Sequence, residues 1–181
     1  MESRAGADRQ EDLSGKRGLG SRVTEASTTA DYTGARELIR EYVAGLEVRL
    51  DAAALAEELD TLPDLYGPPK GCLLLAVEGQ RLVGCVCLRK LKDEIGEIKR
   101  LYARPAARGG GIGRRLMGAA LEAAVRIGYR AIRLDTLPSM KAARALYESL
   151  GFHVISEYAE HCCTNAVCYE LDLSGRMDDA Q

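Results

Sequence analysis

The spacing of apolar side chains along the chain predicts two helices before any strand-like pattern is met. Order is expected to begin near residues 22–24, and helical spacing starts at Tyr32 with Thr33 as a candidate N-cap. A second, shorter helix is predicted over residues 52–59, and Pro63 is expected to end it.

The period then changes to that of strands and afterwards alternates between strands and helices. Three antiparallel strands are predicted over residues 72–78, 82–90 and 94–103. Apolar residues recur at helical spacing from Ile112 to Ile127, where Gly128 ends the helix. The remaining predicted elements are a strand over 131–135, a helix over 140–150, and strands over 153–156 and 166–173. The order β-α-α-β-β-β-α-β-α-β-β predicts a mixed α/β domain.

Length and composition fit one folded domain with a tail at each end. The chain has 181 residues, of which 46% are hydrophobic, so it can bury a core. Residues 1–22 are rich in charge and poor in apolar side chains, which predicts a disordered tail. The domain is expected over residues 23–174, with a short C-terminal tail over 175–181.

The net charge of −2 argues against nucleic acid or a membrane surface as a general partner. The first residues lack the apolar centre of a secretory signal, and we expect a cytoplasmic protein. A monomer or a homodimer is expected, and the last predicted strand, 166–173, is a candidate for pairing across a dimer.

The six cysteines show none of the paired spacings of a zinc site, so no metal is predicted. Reduced, buried thiols are the expected state of most of them. Cys162 and Cys163 lie beside His161 in a predicted loop, which leaves a Cys–His nucleophile as the alternative there.

The segment from Arg108 to Gly113 joins the third strand to the long helix and contains four glycines. Six basic residues and no acidic ones lie between Lys99 and Arg115, and a helix N-terminus adds unpaired N–H donors. This combination predicts an anion site, most naturally for a pyrophosphate, although a plain connection solvated by arginines remains the alternative. Neither the P-loop pattern nor the Rossmann pattern is present.

The pattern Arg108-x-x-Gly111-x-Gly113 resembles the acyl-CoA signature of the GCN5-related N-acetyltransferases (GNAT). Residues 134–152 resemble the second cofactor motif of that family, with its A-x-x-x-Y-x-x-x-G-F core, and residues 96–105 extend the match. The resemblance covers about 100 residues, from 71 to 173, and residues 57–69 are similar to the bacterial-type branch acting on small molecules or peptides.

The resemblance implies the GNAT fold, a mixed and mostly antiparallel sheet flanked by helices, and acetyl-CoA as the acetyl donor. By this resemblance the backbone of Leu101, Tyr102 and Ala103 would pair with the pantetheine arm. The pyrophosphate would be held by the segment Arg108, Gly109, Gly110, Gly111, Ile112, Gly113 and Arg114. Where family members often carry an asparagine, this chain has Met140.

Two residues are candidates for acid–base catalysis of amine acetylation. Tyr147 matches the family tyrosine near the CoA sulfur, and its phenol could protonate the leaving thiolate. It could also pack under Phe152 across Gly151. Glu97 is the candidate base, with a water relay, or a structural pairing with Lys99 or Arg89, as the alternatives.

The expected function is therefore direct acetyl transfer from acetyl-CoA to a primary amine in a ternary complex. The alternative is a non-catalytic acyl-CoA-binding module. Residues 31–66 carry nine acidic and three basic side chains, which could form an acidic rim for a cationic amine or peptide, or could be solvated helix faces.

Overall fold

The computed structural model describes residues 21–48, 50–158 and 165–177, and in these ranges the strands form one seven-stranded sheet. The strands are β1 (Arg22–Glu25), β2 (Cys72–Glu78), β3 (Arg81–Lys92), β4 (Ile95–Ala103), β5 (Ala131–Thr136), β6 (His153–Ile155) and β7 (Val167–Asp172). Their order in the sheet is β1-β2-β3-β4-β5-β7-β6. Only β4 and β5 run parallel among these neighbours. The predicted mixed, mostly antiparallel fold is confirmed.

Helices cover both faces of this sheet. They are α1 (Thr29–Ala44), α2 (Ala52–Asp60), α3 (Leu62–Tyr66), α4 (Ile112–Ile127), α5 (Lys141–Ser149) and α6 (Ser174–Met177), with a short 3-10 helix at Pro105–Ala107. The helix α4 has the predicted bounds, because its apolar stripe is continuous and a left-handed glycine lies at each end, Gly111 and Gly128.

The sheet separates two hydrophobic cores. On one face, α4 and α5 pack on side chains such as Val86, Ile98 and Ile132. On the other face, α1 to α3 pack on Leu73, Leu75, Cys85 and Cys87 of β2 and β3. The second core does not extend over β5 and β7, so the charged side chains of those strands on this face remain partly accessible.

The predicted start of the first helix is wrong by three residues. The helix begins at Thr29, and Thr28 is its N-cap, because Thr28 and Asp31 form a reciprocal capping box. Pro63 does not end the second helix either. It lies in the first turn of α3, where a residue without an N–H is tolerated.

The last predicted strand does not lie at a sheet edge. β7 pairs with β5 on one side and with β6 on the other, so its proposed pairing across a dimer is wrong. After β7 the chain forms α6 up to Met177, whereas the sequence predicts a tail from residue 175. Residues 1–20 of the predicted N-terminal tail lie outside the described residues, as do residues 178–181.

None of the helices within the described ranges is both long and apolar enough to span a membrane.

Candidate active site

The parallel strands β4 and β5 pair only at their beginnings and then diverge. Their register runs from Ile95 opposite Ala131 to Glu97 opposite Arg133, whereas β4 continues to Ala103. From Ile98 onward the edge of β4 that faces β5 therefore has no strand partner. The gap between the strands opens into two adjoining cavities, which we call the small cavity, of about 140 Å³, and the large groove, of about 880 Å³.

The glycine segment forms one wall of the large groove. Gly109 and Gly111 have φ angles of 82° and 76°, in the left-handed region that side chains with a Cβ rarely adopt. A Cβ on Gly109 would meet no protein atom within 4 Å, so it would project into open space. Gly111 caps α4 without a side-chain hydrogen bond, which leaves the first amides of the helix available to an anion.

The structure brings the predicted donor-binding residues together along this groove. Nine of the ten line it, and Gly110 is the exception: Leu101, Tyr102, Ala103, Arg108, Gly109, Gly111, Ile112, Gly113 and Arg114. The guanidinium of Arg108 donates from Nε to the carbonyl of Ala103 at 3.0 Å and lies over the Tyr102 ring. Arg108 thereby ties the glycine segment to the free edge of β4. These surroundings suit an elongated ligand that carries phosphate at one end.

Tyr147 lies on α5 and lines the small cavity. Its ring packs at 5.9 Å from the ring of Phe152, across a helix end where the amide of Phe152 donates to the carbonyl of Tyr147. Burial, and then nearby negative charge, raises the pKa of its phenol. No hydrogen bond of this hydroxyl is found in the described part of the chain. The packing role is therefore present, and the phenol of this cavity-lining residue stays protonated.

Glu97 lines neither cavity. Its carboxylate accepts from Arg89 Nε at 2.7 Å and from the hydroxyl of Tyr158 at 3.0 Å, and it lies 3.4 Å from Lys99 Nζ. Only 1% of the residue is exposed. The structural pairing with Arg89 and Lys99, left open by the sequence, is thus present.

The pattern along the chain missed Asp135, which lines the small cavity together with Tyr147. Its Oδ1 accepts from Lys99 Nζ at 2.6 Å, across the gap where β4 and β5 separate. Burial lowers the pKa of Lys99, but the carboxylates of Asp135 and Glu97 outweigh it and the net shift is upward. The small cavity therefore contains a charged lysine and a carboxylate in direct contact.

The sequence pattern also missed a second ion pair, which lies at a bulge in β4. Cys85 faces Tyr102 and Cys87 faces Lys99, so Arg100 and Leu101 both lie opposite a single residue of β3. Arg100 has a φ of 57° and lines the small cavity, and its guanidinium is paired with Glu58 of α2.

The predicted acidic rim is not found at the cavities. Of the nine acidic residues between positions 31 and 66, Glu41 is the one that lines either cavity, and it is paired with Arg104 at 2.6 Å. Glu58 is likewise neutralised by Arg100. The remaining acidic side chains fit the alternative of solvated helix faces.

Within the described ranges no three His, Cys, Asp or Glu side chains are grouped as metal ligands. The four described cysteines are buried, at positions Cys72, Cys85, Cys87 and Cys168. Burial raises the pKa of Cys85 to about 12, as expected for an inert thiol. Cys162 and Cys163, with His161, lie outside the described residues.

Known acetyltransferases resemble this chain in sequence. Residues 35–152 match the model of the Acetyltransferase (GNAT) family. The chain is 32% identical over 154 residues to an N-acetyltransferase of Schizosaccharomyces pombe, covering 84% of this chain and 94% of that protein. It is 33% identical over 137 residues to the N-acetyltransferase YjgM of Escherichia coli, covering 74% of this chain and 80% of that protein.

Solved structures share the fold. A GNAT-family acetyltransferase from Staphylococcus aureus superposes with a TM-score of 0.74 at 18% identity, covering 84% of this chain and 99% of that one. An acetyltransferase from Salmonella typhimurium, yncA, solved with its cofactor acetyl-CoA, superposes with a TM-score of 0.65 at 19% identity over 85% of this chain and 94% of that one.

Proposed function

Because the chain belongs to the acetyltransferase (GNAT) family, we propose that it transfers the acetyl group of acetyl-CoA directly to a primary amine in a ternary complex. The observation that carries the proposal is the position of Tyr147. Tyr147 lines the small cavity where β4 and β5 diverge, next to the large groove lined by the glycine segment. These positions support a proton donor and an anion site on two sides of the same gap.

The large groove is the proposed site of the donor. The amides from Gly109 to Arg114 would bind its pyrophosphate, supported by the positive end of the α4 dipole. The free edge of β4 at Leu101, Tyr102 and Ala103 would pair with the amides of its pantetheine arm. The open space beside Gly109 supports this assignment, since a side chain there would occupy the groove.

Bound acetyl-CoA supplies a thioester, whose carbonyl carbon forms a bond with the amine nitrogen while the carbon–sulfur bond breaks and the electron pair leaves with sulfur. Tyr147 donates its phenolic proton to that sulfur and later regains a proton from solvent. Its raised pKa keeps the phenol protonated at neutral pH, which suits an acid and not a base.

The proton that the amine loses has two proposed routes, to Glu97 or to a relay of water. Glu97 contacts Lys99. The raised pKa of Lys99 keeps its ammonium group charged, so Lys99 is a poor carrier of that proton to Glu97. We therefore favour the water relay, with Glu97 holding Lys99 in position.

Direct transfer, without an acetylated enzyme, is supported by the four described cysteines, because none of them lines either cavity. Initial rates measured with both substrates varied test this proposal. Chromatography should quantify CoA, since thiol dyes would also react with the protein. Intersecting reciprocal plots are expected. Parallel plots would show a covalent intermediate, and binding of acetyl-CoA without turnover of any amine would favour a binding module. The expected cytoplasmic location and the oligomeric state stay predictions.

A further inference from the structure

A row of ion pairs crosses the sheet on the face that carries α1 to α3. Cross-strand neighbours alternate in charge along it, from β3 to β7: Arg89, Glu97, Arg133 and Glu170. Arg89 lies 2.6 Å from Glu97, and Arg133 lies 2.6 Å from Glu170. Each charge in this row is matched by an opposite one on the next strand, so the row is neutral.

Lys99 and Asp135 lie two residues further along β4 and β5, at the point where those strands separate. Their side chains are 23% and 12% exposed, and both line the small cavity, whereas the charged row lines neither cavity. Arg100 is the other charged residue of the lining, and its guanidinium is already paired with Glu58. Within the described ranges, Lys99 and Asp135 are thus the cation and the anion of the small cavity that can exchange each other for the charged groups of an incoming molecule.

This arrangement discriminates between classes of amine. An amine with no other charge would bring its ammonium group close to Lys99, whose charge repels it. A molecule with both an ammonium group and a carboxylate can instead place the ammonium on Asp135 and the carboxylate on Lys99. Such an exchange keeps every buried charge paired, which matters because an uncompensated buried charge is costly.

The cavity also limits the size and polarity of the molecule. Its volume of about 140 Å³ corresponds to roughly ten water-sized spheres. Leu46, Val48 and Leu50, from the segment between α1 and α2, give the cavity an apolar wall. This wall suits a compact aliphatic side chain.

We propose that the acceptor is a free α-amino acid with a small aliphatic side chain, bound through its ammonium by Asp135 and through its carboxylate by Lys99. The inference rests on the proposed acetyl transfer and specifies its second substrate. It excludes peptide N-termini and lysine side chains, which lack a carboxylate next to the reacting amine.

The test compares acceptors that differ only in the carboxylate. CoA release is measured with L-valine, L-valinamide and isobutylamine, together with the corresponding alanine set and an alanine-initiated peptide. We expect kcat/KM for the amino acid to exceed that for its amide and its plain amine about 10- to 100-fold, the range for a charged hydrogen bond. Equal rates for the three, or preference for the peptide, would overturn the proposal.

Variants separate this inference from the proposed function. Lys99→Met should bring the ratio of amino acid to amide close to one, while acetyl-CoA affinity stays within about threefold. Lys92→Met, an exposed lysine of β3 that lines neither cavity, serves as the matched control and should keep the ratio. A Lys99→Met enzyme that keeps the preference would overturn the inference. Failure of the wild type to acetylate any amine, with acetyl-CoA bound, would count against the proposed function.

Discussion

The guanidinium of Arg100 donates two hydrogen bonds to the carboxylate of Glu58, from Nε at 2.9 Å and from Nη2 at 2.5 Å. The two residues are 42 positions apart, and the pair joins α2 to the bulge of β4. The hydroxyl of Tyr66 donates to the same carboxylate at 2.7 Å. A left-handed φ costs a residue such as arginine about 1–3 kcal/mol, so the pair helps to hold a conformation that β4 would not adopt alone.

Replacing this carboxylate should loosen the bulge. Glu58→Gln leaves the charge of Arg100 mostly buried and unpaired, so we expect the free energy of unfolding to fall by about 3–5 kcal/mol. We also expect KM for acetyl-CoA to rise, because the bulge lies within the free edge of β4, where the pantetheine arm is proposed to pair. Urea unfolding and initial rates measure the two effects. Glu57→Gln, an exposed neighbour on α2, is the control, and equal behaviour of the two variants would contradict the role of the pair.

The same pair predicts a dependence of stability on pH. Burial raises the pKa of Glu58, but the hydrogen bond and charge of Arg100 outweigh it, and the net shift is below the ordinary value of 4.5. The stabilisation is therefore complete above pH 4.5 and is lost as the pH falls through the lower pKa of the folded state. The difference in unfolding free energy between wild type and Glu58→Gln should shrink from pH 6 towards pH 3. A constant difference would argue against an ionised pair.

Tyr147 should matter for turnover and little for binding. Tyr147→Phe keeps the ring packing on Phe152 and removes the proton donor, so we expect kcat to fall about 100- to 10,000-fold while the dissociation constant of acetyl-CoA is unchanged. Tyr129→Phe is the control, since Tyr129 is also buried but bonds to the backbone of Lys70 and lines neither cavity. An unchanged kcat at saturating substrate would leave Tyr147 with packing alone.

Gly113 should be essential for donor binding. An aspartate at the start of α4 would bring a negative charge to the proposed pyrophosphate site, and we expect Gly113→Asp to weaken acetyl-CoA binding at least about 100-fold. The fold should tolerate the change, because a Cβ there meets only the end of the Leu146 side chain, at 3.4 Å. Gly118→Asp, on the same helix with no atom within 4 Å of its Cβ, is the control. Calorimetric titration compares the two, and equal affinities would remove the glycine segment from the site.

The sequence pattern predicted the features that depend on interactions between residues close together in the chain. The bounds of α4 follow from its apolar stripe and two terminal glycines, and the anion wall follows from glycines and arginines that are neighbours in the chain. The start of α1 was missed because a capping box at Thr28 and Asp31 extends the helix beyond its apolar stripe. Such polar signals are short and easily outweighed by hydrophobic spacing.

The charged pairs of the site depend on long-range contacts and could not be predicted in the same way. Lys99 and Asp135 are 36 positions apart and meet because β4 and β5 are parallel neighbours. Glu97 was a reasonable candidate base by its place in the strand, yet which of its neighbours would neutralise it depended on the register with β3 and on Tyr158. The ion-pair partner of a strand residue is determined by the order and register of the neighbouring strands, and not by the spacing within one strand.

The melting temperature with and without acetyl-CoA, with CoA and NAD as controls, tests the central claim most directly. A ligand present at 100 times its dissociation constant stabilises the folded state by about 2.7 kcal/mol, which corresponds to a rise of roughly 5–10 °C for a chain of this size. We predict such a rise with acetyl-CoA and with CoA, and none with NAD. No shift at millimolar acetyl-CoA would contradict the assignment of the glycine segment and the groove, and with it the proposed transfer.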